Sequence, residues 1–223
     1  MQVIVSRLAA CARVEAVLDI VKVSAMLEPE QIEAGYRQGL FPMGHEGGRV
    51  FTWHRPRLRG VLPLEEFHIS RSLARTLRSG RYEVTVDRDF TAVVEACAAR
   101  EDVWITAGVK RAYAELHRAG KAHSVEVWMD GRLAGGTYGV HLGGAFFAES
   151  KFHRMRDMSK VALAHLVMRL KERGFALLDV QYWTPHLAQF GVVEIPAAEY
   201  RQRLKAALAL ECRFADAAGI QST

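Results

Sequence analysis

The chain is short of cysteine, of long apolar runs and of nucleotide-activating motifs, and each shortage closes off a class of protein. Three cysteines occur, Cys11, Cys97 and Cys212, odd in number and widely spaced. Neither a disulfide framework nor a CxxC metal site is readable from them, and a reducing cytoplasm is the expected setting. No uncharged apolar stretch reaches the roughly 20 residues of a membrane-spanning helix, so no membrane partner is expected. Leu8-Ala9-Ala10-Cys11 resembles a lipoprotein processing site, but Arg7 interrupts the apolar stretch that such a signal needs, and a signal peptide is rejected. No P-loop is present. None of the nine histidines forms HExxH or another ligand pair, so they read as scattered structural or surface residues and no metal is expected.

What is present is a globular composition. With 223 residues and 50% apolar content the chain can bury one good core or two unequal ones. Lys and Arg outnumber Asp and Glu by 30 to 25, giving a net charge of +5 and a pI near 9.3, a balance that suits a polyanionic partner without requiring one.

Residues 27–40 read as a helix that begins in an acidic turn and stops at Gly39, before Phe41-Pro42. A glycine-rich turn, Gly44 to Gly48, follows. Phe51 to Arg59 carries Trp53, Pro56 and several cationic or imidazole side chains; it reads as a linker, with a domain boundary near Gly60. Ser70 caps a short helix on which Arg71, Arg75 and Arg78 project from one face. Tyr82–Val86 is a strand, and Phe90–Ala99 and Ala107–Arg118 are helices. His123–Trp128 and Arg132–Val140, joined through Asp130-Gly131, form a hairpin, and Gly143-Gly144 turns the chain into a further strand, Ala145–Ser150. Ser159–Arg173, stopped by Gly174, is the best helix; Phe175–Gln181 follows as a buried strand and Pro185–Phe190 as a short helix.

The expected fold is therefore α+β with a mixed sheet: a small N-terminal domain, residues 1–60, and a catalytic domain, residues 61–223. The order of elements in the second is similar to the GNAT acyltransferase fold, whose central sheet splays open to admit an acyl donor. Acetyl-CoA enzymes of that fold usually hold pyrophosphate on a glycine-rich loop. Here the loop reads Lys151-Phe152-His153-Arg154-Met155-Arg156-Asp157-Met158, cationic and without glycine, which better suits a phosphate backbone.

Asp179 and Gln181, two apart on a strand, point to one face while Val180 points into packing. Two readings stand: a buried hydrogen-bonded pair that fixes the sheet, or a pair in which Asp179 orients Gln181 and the Gln181 carbonyl accepts a hydrogen bond from an incoming amine. Glu149, ending the strand Ala145-Phe146-Phe147-Ala148, either pairs with Arg154 or Lys160 or holds the cationic group of a substrate.

A run of segments makes the resemblance specific. Gly39-Leu40-Phe41-Pro42, Phe67-His68-Ile69-Ser70-Arg71-Ser72-Leu73, Trp104-Ile105-Thr106, Ala122-His123-Ser124-Val125-Glu126-Val127-Trp128, Gly135-Gly136-Thr137-Tyr138-Gly139-Val140, Glu149-Ser150, Ser159-Lys160 and Asp179-Val180-Gln181 occur in that order. From about residue 27 to residue 205 the chain resembles the bacterial leucyl/phenylalanyl-tRNA-protein transferases. The resemblance implies transfer of Leu, less readily Phe or Met, from aminoacyl-tRNA to proteins with N-terminal Arg or Lys, marking them for degradation. It implies Asp179 and Gln181 as catalytic residues, with Asp179 polarising Gln181, which withdraws a proton from the acceptor amine. Glu149, Phe146, Lys151, Thr137, Trp104 and Ser159 follow as substrate-binding residues. The ester is already activated, so no cofactor is expected; a monomer is expected.

The chain departs from the family's pattern in places. Lys151 stands where most members have Met, and Thr137 where Met or Leu is common. Lysine there either turns outward with its stem still packing or alters the donor pocket, which bears on the amino acid carried rather than on the reaction. The linker Trp53-His54-Arg55-Pro56-Arg57-Leu58-Arg59 has lost an acid and gained cations. Arg55, Arg57, Arg71, Arg75, Arg78 and Arg154 are the candidate tRNA-facing groups, against the alternative of an ordinary solvated cationic face. Residues 1–25 match nothing in the family and stand as an extension of unknown role. The competing reaction is N-acyl transfer from acyl-CoA.

Overall fold

The computed structural model describes residues 19–45, 48–99 and 104–216. Most of the N-terminal extension, with Cys11 and the Leu8–Cys11 segment, lies outside the described residues, as does part of the Gly44–Gly48 turn. The chain opens with strand β1 (Ile20–Ser24), helix α1 (Pro29–Arg37) and strands β2 (Phe41–Gly44), β3 (Phe51–His54) and β4 (Leu58–Val61). A 3-10 turn (Leu64–Glu66), α2 (Arg71–Ser79), β5 (Glu83–Val86), α3 (Phe90–Ala98) and α4 (Ala107–Arg118) follow. Then come β6 (Ala122–Met129), β7 (Arg132–Leu142), β8 (Ala145–His153), α5 (Met158–Glu172), β9 (Leu177–Gln181), α6 (Pro185–Ala188), β10 (Val193–Pro196) and α7 (Ala197–Leu208).

Two sheets result, a three-stranded one ordered β1-β3-β2 and a seven-stranded one ordered β10-β4-β9-β8-β7-β6-β5. Strands β8 and β9 run parallel, joined across α5, and every other neighbouring pair is antiparallel. The expected hairpin, the strands that flank it and the helix-to-strand unit from Met158 to Gln181 are all in place. Local chemistry accounts for them: Asp130 and Gly131 both have positive φ at the hairpin turn, Ser70 Oγ accepts from the Leu73 N–H at the start of α2, and Gly174 reverses the chain after α5.

The segment Phe51–Arg59 corrects the sequence reading. It is not a linker but two strands, one in each sheet, with Trp53, His54 and Arg59 each about 1% exposed. Gly60, where the boundary was placed, lies inside β4. Three of its polar side chains are bonded inside the protein, Thr52 Oγ1 to ring nitrogens of His45 (2.7 Å) and His54 (2.8 Å) and Arg59 to Asp179, while Arg55 and Arg57 stay exposed. Beyond Phe190, β10 and α7 follow without any motif having marked them.

The large sheet is covered on both faces. On one, α1, α3, α4 and α7 pack a core that includes Tyr36, Phe90, Tyr113, Tyr138 and Phe147; on the other, α2 and α5 pack Leu73, Leu163, Phe146, Leu178 and Phe214. Each fully buried Leu or Phe contributes about 1.5–3 kcal/mol of transfer free energy, so these two layers supply most of the driving force.

One irregularity in β8 sets up the site. Tyr138 pairs with Ser150 but Gly139 with Ala148, so Glu149 is the extra residue of a β-bulge. The bulge reverses the alternation: Phe147 and Phe152, five apart, both reach the core beneath α3 and α4, which an unbroken strand forbids. Gly139 permits it, since a Cβ there would meet the Phe147 carbonyl oxygen at 2.3 Å.

Candidate active site

Strands β8 and β9 pair at Ala145–Leu177, Phe146–Leu178 and Phe147–Asp179, and no pairing continues past that last rung. The next residues of matching phase are Glu149 and Gln181, one on each of the parted ends. A gap between two parallel strands of an otherwise continuous sheet is thereby lined by a carboxyl group and an amide.

Asp179 lies at the root of the gap and is fully buried. Arg59 grips it from β4 in a bidentate pair, Nε to Oδ1 at 2.9 Å and an Nη to Oδ2 at 2.7 Å. Tyr200 of α7 donates to Oδ2 at 2.6 Å, and the Gln181 backbone N–H donates to Oδ1 at 2.9 Å. The guanidinium of Arg59 is itself held between the rings of Phe41 (4.6 Å) and Tyr200 (4.7 Å) and donates to the Gly39 carbonyl at 3.2 Å. Burial, the largest single effect, opposes its charge, but the Asp179 carboxylate with Tyr200 and Tyr36 together more than offset this and its pKa is raised. Asp179 therefore holds Gln181 through the main chain, not through the side-chain amide as the sequence suggested.

Gln181 sits in the left-handed region, with φ +61°, as the last residue of β9. Its partner in β4 is Gly60, where any Cβ would strike the Tyr182 carbonyl carbon at 2.7 Å, so the chain leaving Gln181 crosses directly over a glycine. The side chain is about nine-tenths buried and its Nε2 has no hydrogen-bond partner among the described residues. An unpartnered buried amide nitrogen costs about 1–3 kcal/mol, so a ligand that bonds it recovers that sum.

Glu149 faces α1 and α4. Tyr36 donates to one carboxyl oxygen, Tyr113 donates to the other at 3.0 Å, and the two phenol oxygens are 2.8 Å apart. Burial raises the Glu149 pKa to about 7, although both phenols act to lower it. Burial also holds both tyrosines well above their usual range, so they stay protonated. The cations considered as partners for Glu149 are engaged elsewhere: Lys160 bonds Asp157 at 2.9 Å and Arg154 donates to the Leu133 carbonyl at 3.3 Å.

The other sequence-derived residues divide between the two faces of the sheet. Trp104 packs at the edge of the Tyr36–Tyr113 core, on the Glu149 side. Thr137 and Lys151 are cross-strand neighbours on the α5 side, the bulge having turned Lys151 off the face that Phe147 occupies. Thr137 is buried and donates to the Ser150 carbonyl at 2.9 Å; Lys151 is half-buried and its charge is felt by His186. Phe146 lies deep under α5, its ring stacked on Phe214 at 5.0 Å. Ser159, in the first turn of α5, is buried with its hydroxyl 3.4 Å from His153 Nδ1. Arg71, Arg75 and Arg78 are exposed along α2, Arg55 and Arg57 in the β3–β4 loop, and Arg154 after β8.

Arg59, Tyr36, Tyr113 and Tyr200 are site residues that the sequence reading missed. A buried arginine is readable only as the partner of a buried acid, and Arg59 is 120 residues from Asp179. Among the described residues no group of three or more His, Cys, Asp and Glu is placed to hold a metal ion.

A mixed sheet that opens between two parallel strands, with an amide and a carboxyl group on the parted ends, is the frame of an acyltransferase. Comparison with known proteins makes the class specific. Residues 61–205 match the family described as leucyl/phenylalanyl-tRNA protein transferase. A protein of that name from Rubrobacter xylanophilus is 56% identical over 190 residues, spanning 85% of this chain and 99% of the relative. Another from Ruegeria pomeroyi is 54% identical over 82% of this chain and 87% of its own length, and one from Gloeobacter violaceus 52% identical over 84% and 97%. The chain belongs to the leucyl/phenylalanyl-tRNA protein transferase family. Among solved structures, L-PGS from Bacillus licheniformis is 12% identical with a TM-score of 0.40, covering 82% of this chain and 64% of that one. A ribosomal-protein-alanine N-acetyltransferase from Brucella melitensis is 15% identical with a TM-score of 0.35, over 64% and 96%.

Proposed function

We propose that this enzyme transfers leucine or phenylalanine from the 3′ ester of a charged tRNA to the α-amine of a protein whose N-terminal residue is Arg or Lys, so marking it for degradation in the cytoplasm. The observation that carries the reading is the pair Glu149 and Gln181 on the parted ends of β8 and β9, in a chain of this family. An acceptor amine in the gap meets a carboxyl group on one side and an amide on the other, and the donor ester carbonyl enters between them. An aminoacyl ester is already activated, so alignment and delivery of a neutral amine are the main tasks. Proximity supplies about 7–11 kcal/mol at its limit, and no cofactor enters the reaction.

In this reading Gln181 is the catalytic amide and Asp179 its anchor, and Glu149 and Trp104 belong to the acceptor and donor pocket. Thr137 and Lys151 act from the α5 side, with Phe146 and Ser159 supporting that wall. Arg71, Arg75, Arg78, Arg55, Arg57 and Arg154 receive the tRNA backbone. The enzyme acts as a monomer, with a small leading domain set on the catalytic domain. No helix among the described residues is long and apolar enough to cross a membrane.

The test is to incubate the protein with tRNAs charged with different labelled amino acids and a peptide beginning with Arg or Lys. Label from leucyl- or phenylalanyl-tRNA should appear at the peptide N-terminus. Absence of label from every donor sinks the proposal, and CoA binding with acyl transfer from acyl-CoA replaces it. Label from a different donor assigns the pocket around Lys151 and Thr137 to another amino acid.

A further inference from the structure

We infer that Glu149 is the catalytic proton acceptor of the transfer reaction, taking the proton that the acceptor's α-ammonium must lose before it attacks, with Tyr36 and Tyr113 completing a ring that holds this proton. The inference rests on the proposed reaction and assigns to Glu149 a step beyond holding the acceptor.

Tyr36, Tyr113 and Glu149 make three oxygen–oxygen contacts: each phenol with one carboxyl oxygen, and the phenols with each other at 2.8 Å. Each phenol carries one proton, so an ionised Glu149 leaves three contacts to share two protons. One more proton, on the carboxyl, fills the ring: carboxyl O–H to one phenol oxygen, that phenol to the other, the second phenol back to the carboxyl. The triangle has hydrogens for two contacts when Glu149 is charged, both donated to the carboxylate, and for all three when it is protonated, so the same two phenols serve both states.

The surroundings tune the same group. Burial disfavours the charged form, the Asp179 carboxylate on β9 disfavours it further, and Arg59 on β4 and the two phenols from α1 and α4 favour it; the outcome is a pKa of about 7. A base with that affinity is charged often enough at neutral pH to take a proton and holds it well enough to remove it. Glu149 is also reachable. It is the unpaired residue of the bulge, half-buried rather than sealed, on the strand end that parts from β9 opposite Gln181.

Asp179 is unsuited to the task. Oδ1 accepts from Arg59 and from the Gln181 N–H, and Oδ2 from Arg59 and Tyr200, so both oxygens are occupied within the protein. Gln181 positions the amine, and an uncharged amide is too weak a base to remove its proton at neutral pH.

The ammonium gives one proton to the Glu149 carboxylate. The freed nitrogen lone pair forms the N–C bond at the ester carbonyl, whose π electrons move to oxygen. Collapse breaks the bond to the ribose oxygen, and that oxygen takes the second nitrogen proton and leaves as the tRNA hydroxyl. Glu149 then releases its proton to solvent, restoring the carboxylate.

The experiment is the pH dependence of kcat with leucyl-tRNA and a saturating Arg-initiated peptide, for wild type, Glu149→Gln and Tyr36→Phe. Wild type should fall off below an acid limb near pH 7 that stays in place when the acceptor's amine pKa is changed. Glu149→Gln should lose about 10²-fold or more in kcat near pH 7, and its residual rate should follow the free amine of the acceptor. Tyr36→Phe removes a donor to the carboxylate and should move the limb to higher pH while keeping turnover above it. Full kcat in Glu149→Gln, a loss confined to the peptide KM, or a limb unmoved in Tyr36→Phe overturns the assignment. Should wild type transfer no amino acid at any pH, the proposed reaction fails instead.

Discussion

Replacing Arg59 by methionine should unfold the site from its centre. The substitution keeps an unbranched chain between Phe41 and Tyr200 but leaves the Asp179 carboxylate, with no exposed surface, facing only Tyr200 and a backbone N–H. Breaking a fully buried pair by removing one partner costs about 3–5 kcal/mol. For a chain of 150–250 residues each kcal/mol moves the melting temperature by roughly 2–4 °C. Arg59→Met should therefore melt some 6–20 °C below wild type, by that same conversion. The diagnostic is the double variant Arg59→Met/Asp179→Leu, because an apolar replacement of both partners is often neutral or stabilising. It should recover most of the loss in a thermal melt, yet transfer should stay depressed, since Gln181 has lost the carboxylate that bonds its N–H. A single variant within about 1 kcal/mol of wild type, or a double variant no more stable than the single, refutes the picture of one buried latch.

Gln181→Ala should lose transfer rate far more than tRNA affinity. Gln181→Gly should do the same while melting about 1 kcal/mol above the alanine variant, because glycine has no Cβ to strain at φ +61°; equal melting temperatures count against the strain. Arg75→Ala should weaken tRNA binding and flatten its salt dependence by roughly 0.7–0.9 in log–log slope per phosphate contact, read by titration at several salt concentrations. An unchanged slope takes Arg75 off the tRNA. Glu149 should also mark stability. Between its ordinary pKa of 4.5 and about 7 only the folded state keeps the proton, so rising pH through that window removes stability, and above it neither state is protonated. Glu149→Gln should match wild type near pH 4 and exceed it by up to roughly 3.5 kcal/mol at pH 8 in melts across the range, at about 1.4 kcal/mol per pKa unit.

The parts of this fold that were legible in the sequence are those whose cause is local. The Asp130-Gly131 hairpin, the Ser70 cap and the long apolar face of Met158–Glu172 are written in contiguous residues, and the Asp-x-Gln spacing placed Asp179 and Gln181 on β9. The parts that were not legible depend on distant partners. Arg59 looked solvated because the acid it pairs with lies 120 residues further along the chain, and Tyr36 meets Glu149 only through the fold. The bulge that exposes Glu149 leaves only Gly139 as its trace, on another strand. Residue types announced the chemistry of the pair on β9, but the orientation of Asp179 toward the main chain followed from where Arg59 and Tyr200 arrive.

The Arg59–Asp179–Tyr200 cluster gathers residues from the first third of the chain and from near its end. During synthesis, Gly39 and Arg59 leave the ribosome long before Asp179 exists, and α7, which brings Tyr200, leaves later still. A nascent chain therefore cannot close this cluster on Asp179, and so cannot fully hold the Gln181 N–H, until α7 has emerged.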